Sequence, residues 1–258
     1  MVHAGFAFTD DRNALDPSRG IICIAVVHPQ FRRQGIGREL VRRAEEWLSA
    51  NGATEIVAGE SRGSDPFYYG LYGGSRPSGF LATDPEAAPF FTAIGYAPEE
   101  SIGVYQRDLT SRKDPMSMQI MSVRRLTELE LADAPLAPTY WWYTHFSRSD
   151  SLRFRLREKA TGEPVAAVTV IGLDHYIHAW NERAIGLVDL FVLEERRNKG
   201  YGQTLLVESI RQLRQDLITR ADIHVPDDNP VLAKAVQTAG FERVDTGTVY
   251  RKQPGGRV

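Results

Sequence analysis

The sequence predicts a mixed α/β fold (α/β in the α+β sense, with a mixed sheet) that occurs twice within one chain of 258 residues. Two observations predict it. The glycine-containing stretch FRRQGIG at 31–37 is followed 165 positions later by RRNKGYG at 196–202. Each stretch lies between an apolar run typical of a buried strand and a run with helical spacing, an order typical of α/β domains. We therefore expect an internal duplication.

The first copy is predicted to run strand, turn, helix, strand, helix, strand. IICIAVV at 21–27 and TEIVAG at 54–59 indicate strands, and the helix after the turn is expected to stop at Asn51-Gly52. EAAPFFTAIGY at 86–96 indicates a helix ending at Gly95, and GVYQRDL at 103–109 a last strand. AGFAF at 4–8 is expected to be the last strand of a longer amino-terminal part, so this copy is predicted to be truncated.

The second copy repeats this order with more residues in front of it. QIMSVRRL at 119–126 is followed by an aromatic helix, TYWWYTHF at 139–146, and by two strands, LRFRLREK and PVAAVTVIGL, at 152–173. RAIGLVDLFVL at 183–193 predicts the central strand. The next helix should bury an apolar face made of Leu205, Leu206, Ile210, Leu213 and Leu217. After a strand at 222–225, the final helix should be capped by Asn229 and Pro230 and stop at Gly240.

These elements predict the domain organisation. A truncated domain is expected at 1–109 with an insertion at 60–84, followed by a linker at 110–120. A complete domain is expected at 121–252 and a tail at 253–258. The insertion either covers the first site or replaces the missing amino-terminal strands.

Composition excludes several functional classes. The formal charge of -2 argues against a general binder of nucleic acid. The single cysteine, Cys23, excludes an internal disulfide framework and is expected in a buried strand. No stretch of roughly 18 apolar residues and no secretory leader is found, so we expect a cytoplasmic protein without a membrane segment.

The repeated turn predicts an anion site. A helix that begins directly after such a loop presents unpaired backbone N–H groups and the positive end of its dipole. Glycines at positions 35, 37, 200 and 202 permit close approach of phosphate oxygens, and the basic residues Arg32, Arg33, Arg197 and Lys199 add positive charge. The turn lacks both the third glycine of a dinucleotide fingerprint and the Gly-Lys-Ser/Thr of a P-loop.

Both turns, together with FFTAIGY and NPVLAKAVQTAGF downstream, resemble the acyl-CoA-binding core of the GNAT superfamily of N-acyltransferases. The resemblance implies that the turn amides bind the CoA pyrophosphate, that the preceding strand pairs with pantetheine, and that an amine attacks the thioester directly. The residues that it assigns to CoA binding are Val27, Arg32, Arg33, Gln34, Gly35, Ile36, Gly37 and Arg38 in copy one, and Leu190, Val192, Arg197, Asn198, Lys199, Gly200, Tyr201, Gly202, Gln203 and Asn229 in copy two.

The catalytic residues are less fully indicated. Asp189 lies on the central strand of copy two, near where family members often carry a base, but it is equally compatible with a solvated or capping carboxylate. Ile24 takes its place in copy one. The tyrosine that many family members use as an acid is replaced by Val236 and Phe91, which have no proton to donate.

Three further groups have two interpretations each. The aromatic residues around Trp141 either line an acceptor pocket or, as we favour, pack in a core or between domains. His175 and His178 are better explained by a β-hairpin loop than by a metal site, and no metal is expected. His224 is a candidate proton relay.

The predicted function is transfer of an acyl group, normally acetyl, from acetyl-CoA to a small-molecule or peptide amine by copy two. Copy one would be a structural or regulatory CoA-binding unit. The alternatives are a non-catalytic acyl-CoA-binding scaffold and turns that bind another phosphorylated ligand, such as a nucleotide. The two copies within one chain suggest a monomer that imitates a dimer, or a homodimer.

Overall fold

The computed structural model describes residues 1–59, 74–111, 113–132, 139–146 and 150–254. Most of the predicted insertion, residues 60–73, lies outside this part of the chain. The chain divides into two compact units. The first comprises Met1–Gly103, Pro138–His145 and Asp245–Val258, and the second comprises Val104–Ala137 and Phe146–Val244.

The first unit is built on a sheet whose strands follow the order β1, β2, β3, β11. Its elements are β1 (Val2–Phe8), β2 (Leu15–Ala25), α1 (Ile36–Ala50), β3 (Glu55–Ala58), β4 (Phe80–Leu81), α2 (Ala87–Ala93), the first part of β5 (Tyr96–Asp108), most of α4 (Tyr140–Phe146) and the second part of β11 (Glu242–Lys252). β1 is antiparallel to β2, β2 is parallel to β3, and β11 is antiparallel to β3 and β4.

The second unit has a sheet in the order β5, β10, β9, β8, β7, β6. Its elements are the second part of β5, α3 (Met118–Leu126), β6 (Thr127–Ala132), β7 (Ser151–Glu158), β8 (Pro164–Gly172), α5 (Ile177–Trp180), β9 (Ala184–Val192), α6 (Tyr201–Leu213), β10 (Arg220–Pro226), α7 (Pro230–Thr238) and the first part of β11. β6 to β9 are antiparallel neighbours, and β9 and β10 are parallel. The predicted α/β class with a mixed sheet is confirmed.

Each unit buries its own core. In the first, Val41 and Leu48 of α1 and Phe91 of α2 pack with Ile22, Ile56 and Tyr250 from the sheet. In the second, one face of α6 packs on alternate residues of the strands, among them Leu156, Val168, Leu187 and Ile223. Because side chains alternate along a strand, the residues between these point to the opposite face of the sheet.

The end of α6 differs from the prediction. The helix stops at Leu213, a single 3₁₀ turn follows at Arg214–Asp216, and Leu217 adopts a left-handed backbone with 72% of its surface exposed. Leu217 is therefore not part of the buried face, and the prediction that placed it there was wrong. The helical spacing of the sequence continues for one turn beyond the helix itself.

The last strand of copy one, β5, begins earlier than predicted, and β11, for which no strand was predicted, ends copy two. Each of the two strands belongs to both units. Tyr250 and Arg251 of β11 pair with Ala58 and Val57 of β3 in the first unit. The second part of β5 joins β10 in the second unit, where the Leu109 amide donates to the Thr219 carbonyl at 2.8 Å. The two packed units therefore contain other segments of the chain than the two copies of the sequence repeat do. The predicted domain boundaries at 1–109 and 121–252 stay a prediction.

Two smaller findings complete the fold. His175 and His178 lie in the connection between β8 and β9, which forms a 3₁₀ turn and the short helix α5. In the part of the chain that the structure describes, no helix is both long enough and apolar enough to span a membrane.

Candidate functional site

The two glycine turns have the same backbone conformation. Arg33 and Asn198 both have φ near 60°, and the glycines two residues later, Gly35 and Gly200, have φ of 79° and 90°. The second left-handed position explains the glycine, because residues with a Cβ rarely adopt that conformation. Asn198 tolerates the first one readily, whereas Arg33 is a less usual residue there.

An arginine anchors each turn to the strand before it. Arg32 Nε donates to the Val27 carbonyl at 3.0 Å, and Arg197 Nε donates to the Val192 carbonyl at 3.2 Å. These pairs are 165 positions apart and make the same contact. The guanidinium groups are thereby held at the rim of the turn, where they bring positive charge close to the helix amino terminus.

Each turn leads directly into a helix. α1 begins after Gly35 and α6 after Gly200, and within the described residues no side chain caps either helix amino terminus. The first amides of both helices are therefore available to an external acceptor, and the helix dipole adds a partial positive charge there. This is the arrangement in which helices bind phosphate groups.

In the first unit the turn borders a cavity of about 460 Å³. Of the residues predicted to bind CoA, those that line it are Val27, Arg32, Arg33, Gly35, Gly37 and Arg38. Gln34 and Ile36 are not among the described residues of its lining. Asp84 and Glu86 also line this cavity, and Glu86 forms an ion pair with Arg33 of the turn at 2.7 Å.

In the second unit the turn borders a larger cavity of about 860 Å³. Of the predicted residues, those in its lining are Leu190, Val192, Arg197, Asn198, Gly200, Tyr201, Gly202, Gln203 and Asn229. Lys199 and Asp189 are not among the described lining residues. Asn229 also accepts a hydrogen bond from the Leu232 amide at 3.0 Å, so it caps α7 as predicted.

The charges of the two linings differ. Asp84 and Glu86 oppose the arginines in the first cavity. The described lining of the second carries Arg196, Arg197 and Lys234 with no carboxylate, although Arg196 is paired with Glu158 at 2.8 Å outside it. The positive charge of the second lining, without a carboxylate among its described residues, favours a polyanion there more than in the first cavity. Burial raises the pKa of the Tyr201 hydroxyl in the second lining above its ordinary value.

Asp189 lies at a β-bulge. Thr169 of β8 pairs with Val188, but Ala167 pairs with Phe191, so Asp189 and Leu190 together face Val168 alone. Asp189 has φ of 52° and is half-buried. A bulge of this kind leaves a backbone group out of the ladder and turns it towards a neighbouring site.

The parallel ladder between β9 and β10 is short. It runs from Ala184 to Gly186 on β9, and the described part of β9 continues unpaired on that side to Val192. In copy one the ladder between β2 and β3 likewise ends at Ile22, three residues before β2 ends. Strands that part in this way leave backbone groups that an extended ligand is able to pair with.

The copy-one counterpart of the bulge carries no acid. The register of β1 against β2 shifts at Cys23, between the pairs His3–Ile24 and Ala4–Ile22. Ile24 is 8% exposed, in the place that Asp189 occupies in copy two. Val236 and Phe91 are buried apolar residues of their cores and supply no proton donor to either cavity.

One polar pair was only partly indicated by the sequence. Asp222 and His224 of β10 lie on the sheet face opposite α6, with His224 Nε2 3.2 Å from Asp222 Oδ1. Both side chains are at most 3% exposed, and Gln106 Nε2 donates to the other Asp222 oxygen at 3.3 Å. The sequence Asp222-Ile223-His224 indicates such a pair once a strand is predicted there, because residues two apart on a strand lie on the same face.

The aromatic helix α4 lies in the first unit and packs in its core. Trp141 is 1% exposed, its backbone amide donates to the Arg12 carbonyl at 2.9 Å, and the Arg12 guanidinium lies 4.7 Å from its ring centroid. His145 stacks on the same indole with ring centroids 4.4 Å apart. The packing interpretation of Trp141 is therefore confirmed, while Tyr143 is exposed.

Comparison with known proteins supplies the family. The acetyltransferase (GNAT) family matches the chain at residues 3–71 and 119–241. No curated protein matches the sequence.

Among solved structures, a tandem GNAT protein from the clavulanic acid biosynthesis pathway is similar over 92% of this chain and 76% of its own, with 19% identity and a TM-score of 0.65. The glucosamine N-acetyltransferase region of a fungal multi-domain β-N-acetylglucosaminidase is similar over 97% of this chain, which spans 31% of that protein, with 16% identity and a TM-score of 0.68. A GCN5-related N-acetyltransferase from Sphaerobacter thermophilus covers 100% of this chain and 78% of its own at 15% identity and a TM-score of 0.58. These likenesses establish the fold.

Proposed function

The chain belongs to the GNAT acetyltransferase family, and on that premise we propose that its second copy transfers an acyl group, normally acetyl, from acyl-CoA to a primary amine. The observation that carries the proposal is the cavity of the second unit, which joins an uncapped helix amino terminus, a basic lining and a parted strand pair. The first two suit a pyrophosphate and the third suits a pantetheine arm.

The residues of this unit suit the chemistry of thioester aminolysis. An attacking amine must lose its proton, and Asp189 is the carboxylate of the strand that borders the cavity. The bulge at Asp189 and Leu190 offers a backbone N–H to the oxygen that becomes negatively charged as the amine adds. Val236 stands where many family members carry the tyrosine that acts as an acid, but a thiol with a pKa of about 8.5 is a competent leaving group without one.

For the first copy we propose CoA binding with a structural or regulatory role. Its turn has the same conformation as that of copy two. Its lining is partly neutralised by Asp84 and Glu86, and Ile24 replaces the candidate base. The same lack of acid and base in copy one is what favours a non-catalytic scaffold as the second candidate function for the whole chain.

The partners and location are part of the proposal. We expect a small-molecule or peptide amine as acceptor and acetyl-CoA as donor, without a metal, nucleic acid or membrane. We also expect action in the cytoplasm as a monomer or a homodimer.

Native mass spectrometry of the full chain titrated with acetyl-CoA tests the cofactor assignment. Two ligands per chain are expected for wild type. Gly202→Val, which places a branched side chain in the second lining, should remove one, and Gly37→Val, at the same place in the first turn, should remove the other. Absence of any bound acetyl-CoA would overturn the proposal.

The Asp189→Asn variant separates enzyme from scaffold. Asparagine also tolerates the positive φ of this position, so the fold and CoA binding should be unchanged. Turnover with any accepted amine should fall about 10²- to 10⁴-fold if Asp189 is the base. Acetyl-CoA binding without turnover in wild type, across a broad amine screen, would favour the scaffold.

A further inference from the structure

Arg153 on β7 stands out among the arginines of the second unit. In the described part of this unit, seven other arginines are buried or partly buried, and each has a carboxylate within 4.0 Å: Arg107, Arg124, Arg155, Arg157, Arg196, Arg214 and Arg220. Arg153 is also partly buried, but its one polar contact in the described chain is with a neutral group. Its Nη1 donates to the Thr169 hydroxyl at 2.7 Å.

That contact leaves part of the guanidinium without an acceptor in the described chain. A guanidinium has five N–H groups, and the Nε of Arg153 is buried without an acceptor. Withdrawing a charge from water without a counter-charge is costly, and proteins normally pair it. The neighbouring arginines on the same strand face, Arg155 and Arg157, share Glu130 at 3.0 and 3.3 Å. Glu130 of β6 thus serves two of the three arginines on this face of β7, and it forms no ion pair with Arg153 within the described residues.

The sheet register relates Arg153 to the bulge at Asp189. Arg153 pairs with Thr169 on β8, and Thr169 pairs with Val188 on β9, the residue directly before the bulge. Phe154, Val168 and Leu187 belong to the core under α6, so Arg153, Thr169 and Val188 share the opposite face. Two strand spacings of about 4.8 Å place the Arg153 backbone roughly 10 Å from β9 at this level.

We propose that Arg153 binds an anionic group of the acceptor, so that the substrate class is a primary amine that also carries a carboxylate or a phosphate. This inference rests on the proposed function, because it takes the bulge as the place where the amine reacts. Thr169 fixes one edge of the guanidinium. The acceptor's anion supplies the counter-charge that the described residues do not. The Arg153 side chain and an acceptor with a few methylene groups between its amine and its anion together span the roughly 10 Å from β7 to β9.

The test compares matched acceptors on the full chain. CoA release from acetyl-CoA is measured with ω-amino carboxylates from β-alanine to 6-aminohexanoate, with the corresponding ω-amino amides, and with aminoalkyl phosphates. Wild type should prefer an anionic acceptor over its amide about tenfold to a hundredfold in kcat/KM. Preference within the anionic set tells carboxylate from phosphate.

Two variants give the residue-level readout. Arg153→Gln should lose the anion preference through a raised KM for the charged acceptor, with the amides unaffected, and Arg153→Lys should keep part of it. Arg157→Gln, on the same strand and face but paired with Glu130, should keep the preference. Equal turnover of anionic acceptors and amides, or an unchanged preference in Arg153→Gln, would overturn the inference.

A binding measurement decides the matter where no tested amine reacts. Glutarate and glutaramide are titrated by calorimetry into the protein with acetyl-CoA present. Glutarate binding that is lost in Arg153→Gln and kept in Arg157→Gln supports the anion site, and no glutarate binding overturns it. The count of bound acetyl-CoA by mass spectrometry reports separately on the proposed function, so either can fail alone.

Discussion

At the scale of single residues, the glycine turn is fixed by backbone conformation before any ligand is considered. Gly200 has φ of 90°, and a Cβ built on it would lie 2.9 Å from the Cβ of Gln119. Gly202 is different, because a Cβ there would lie 3.5 Å from Val192 Cγ2, an ordinary contact. The first glycine is required by the fold, and the second leaves room beside the cavity.

The Gly200→Ala variant is therefore expected to lower the free energy of unfolding by about 1–3 kcal/mol, because alanine is strained at this φ and crowds Gln119. Gly202→Ala is the matched control and should change it by less than about 1 kcal/mol, since alanine suits a helix. Urea denaturation followed by circular dichroism measures both. Equal losses in the two variants would contradict this account of the turn.

At the scale of elements, a charge cluster holds the segment after β5 to the helices of the second unit. Arg107 is 5% exposed and donates to Asp114 at 2.9 Å and to the Ala239 carbonyl, at the end of α7, at 2.7 Å. Arg214, which follows α6, lies 2.7 Å from the same Asp114 oxygen. One carboxylate thus serves two nearly buried guanidinium groups.

This cluster predicts an acid-dependent loss of stability. Burial raises the pKa of Asp114, but hydrogen bonds from Arg214 and Arg107 outweigh it, and the net pKa is lowered. The stabilisation is therefore present above the ordinary aspartate pKa and is lost as pH falls through the lowered value. Asp114→Asn should cost about 3–5 kcal/mol at pH 7, because it leaves two buried charges unpaired.

Urea unfolding of wild type and Asp114→Asn at pH 7 and at about pH 2–3 measures this effect, and the gap between them should narrow at low pH. The exposed Glu195→Gln serves as a control with little change at either pH. A gap that stays constant across this range would show that the Asp114 carboxylate does not carry the dependence.

The sequence predicted the elements better than their partners. Strands, helices and both turns follow from local signals, such as the continuous apolar run IICIAVV and the cap at Asn229, which depend on neighbours within one turn or strand. The helix spacing nevertheless continued to Leu217, where the chain turns left-handed. Arg153 was not predicted as a site residue, because alternate arginines such as those of LRFRLRE are typical of a solvent-exposed strand face. Only the strand register shows that Arg153 lies opposite the neutral Thr169.

At the scale of the whole molecule, the chain is a duplication whose packed units are not the two halves of its sequence. The last eight residues of β11, Asp245–Lys252, belong to the first unit. Tyr250 there is 3% exposed and stacks on Phe91 with ring centroids 5.1 Å apart. Local sequence patterns do not tell which sheet a strand completes, so the assignment of β11 required the structure.

The composition of the first unit gives a prediction about where damage spreads. Tyr250→Ala should cost about 3–5 kcal/mol, because it removes a buried ring beside Phe91, which lines the first cavity. Hydrogen exchange should accelerate in α2 and β3, and one acetyl-CoA should be lost by native mass spectrometry. Phe241→Ala, equally buried but in the core of the second unit, should accelerate exchange in α6 and β10 instead. Faster exchange in α6 and β10 of Tyr250→Ala, with α2 and β3 still protected, would contradict this prediction. It would mean that the end of β11 stabilises the second unit and not the first.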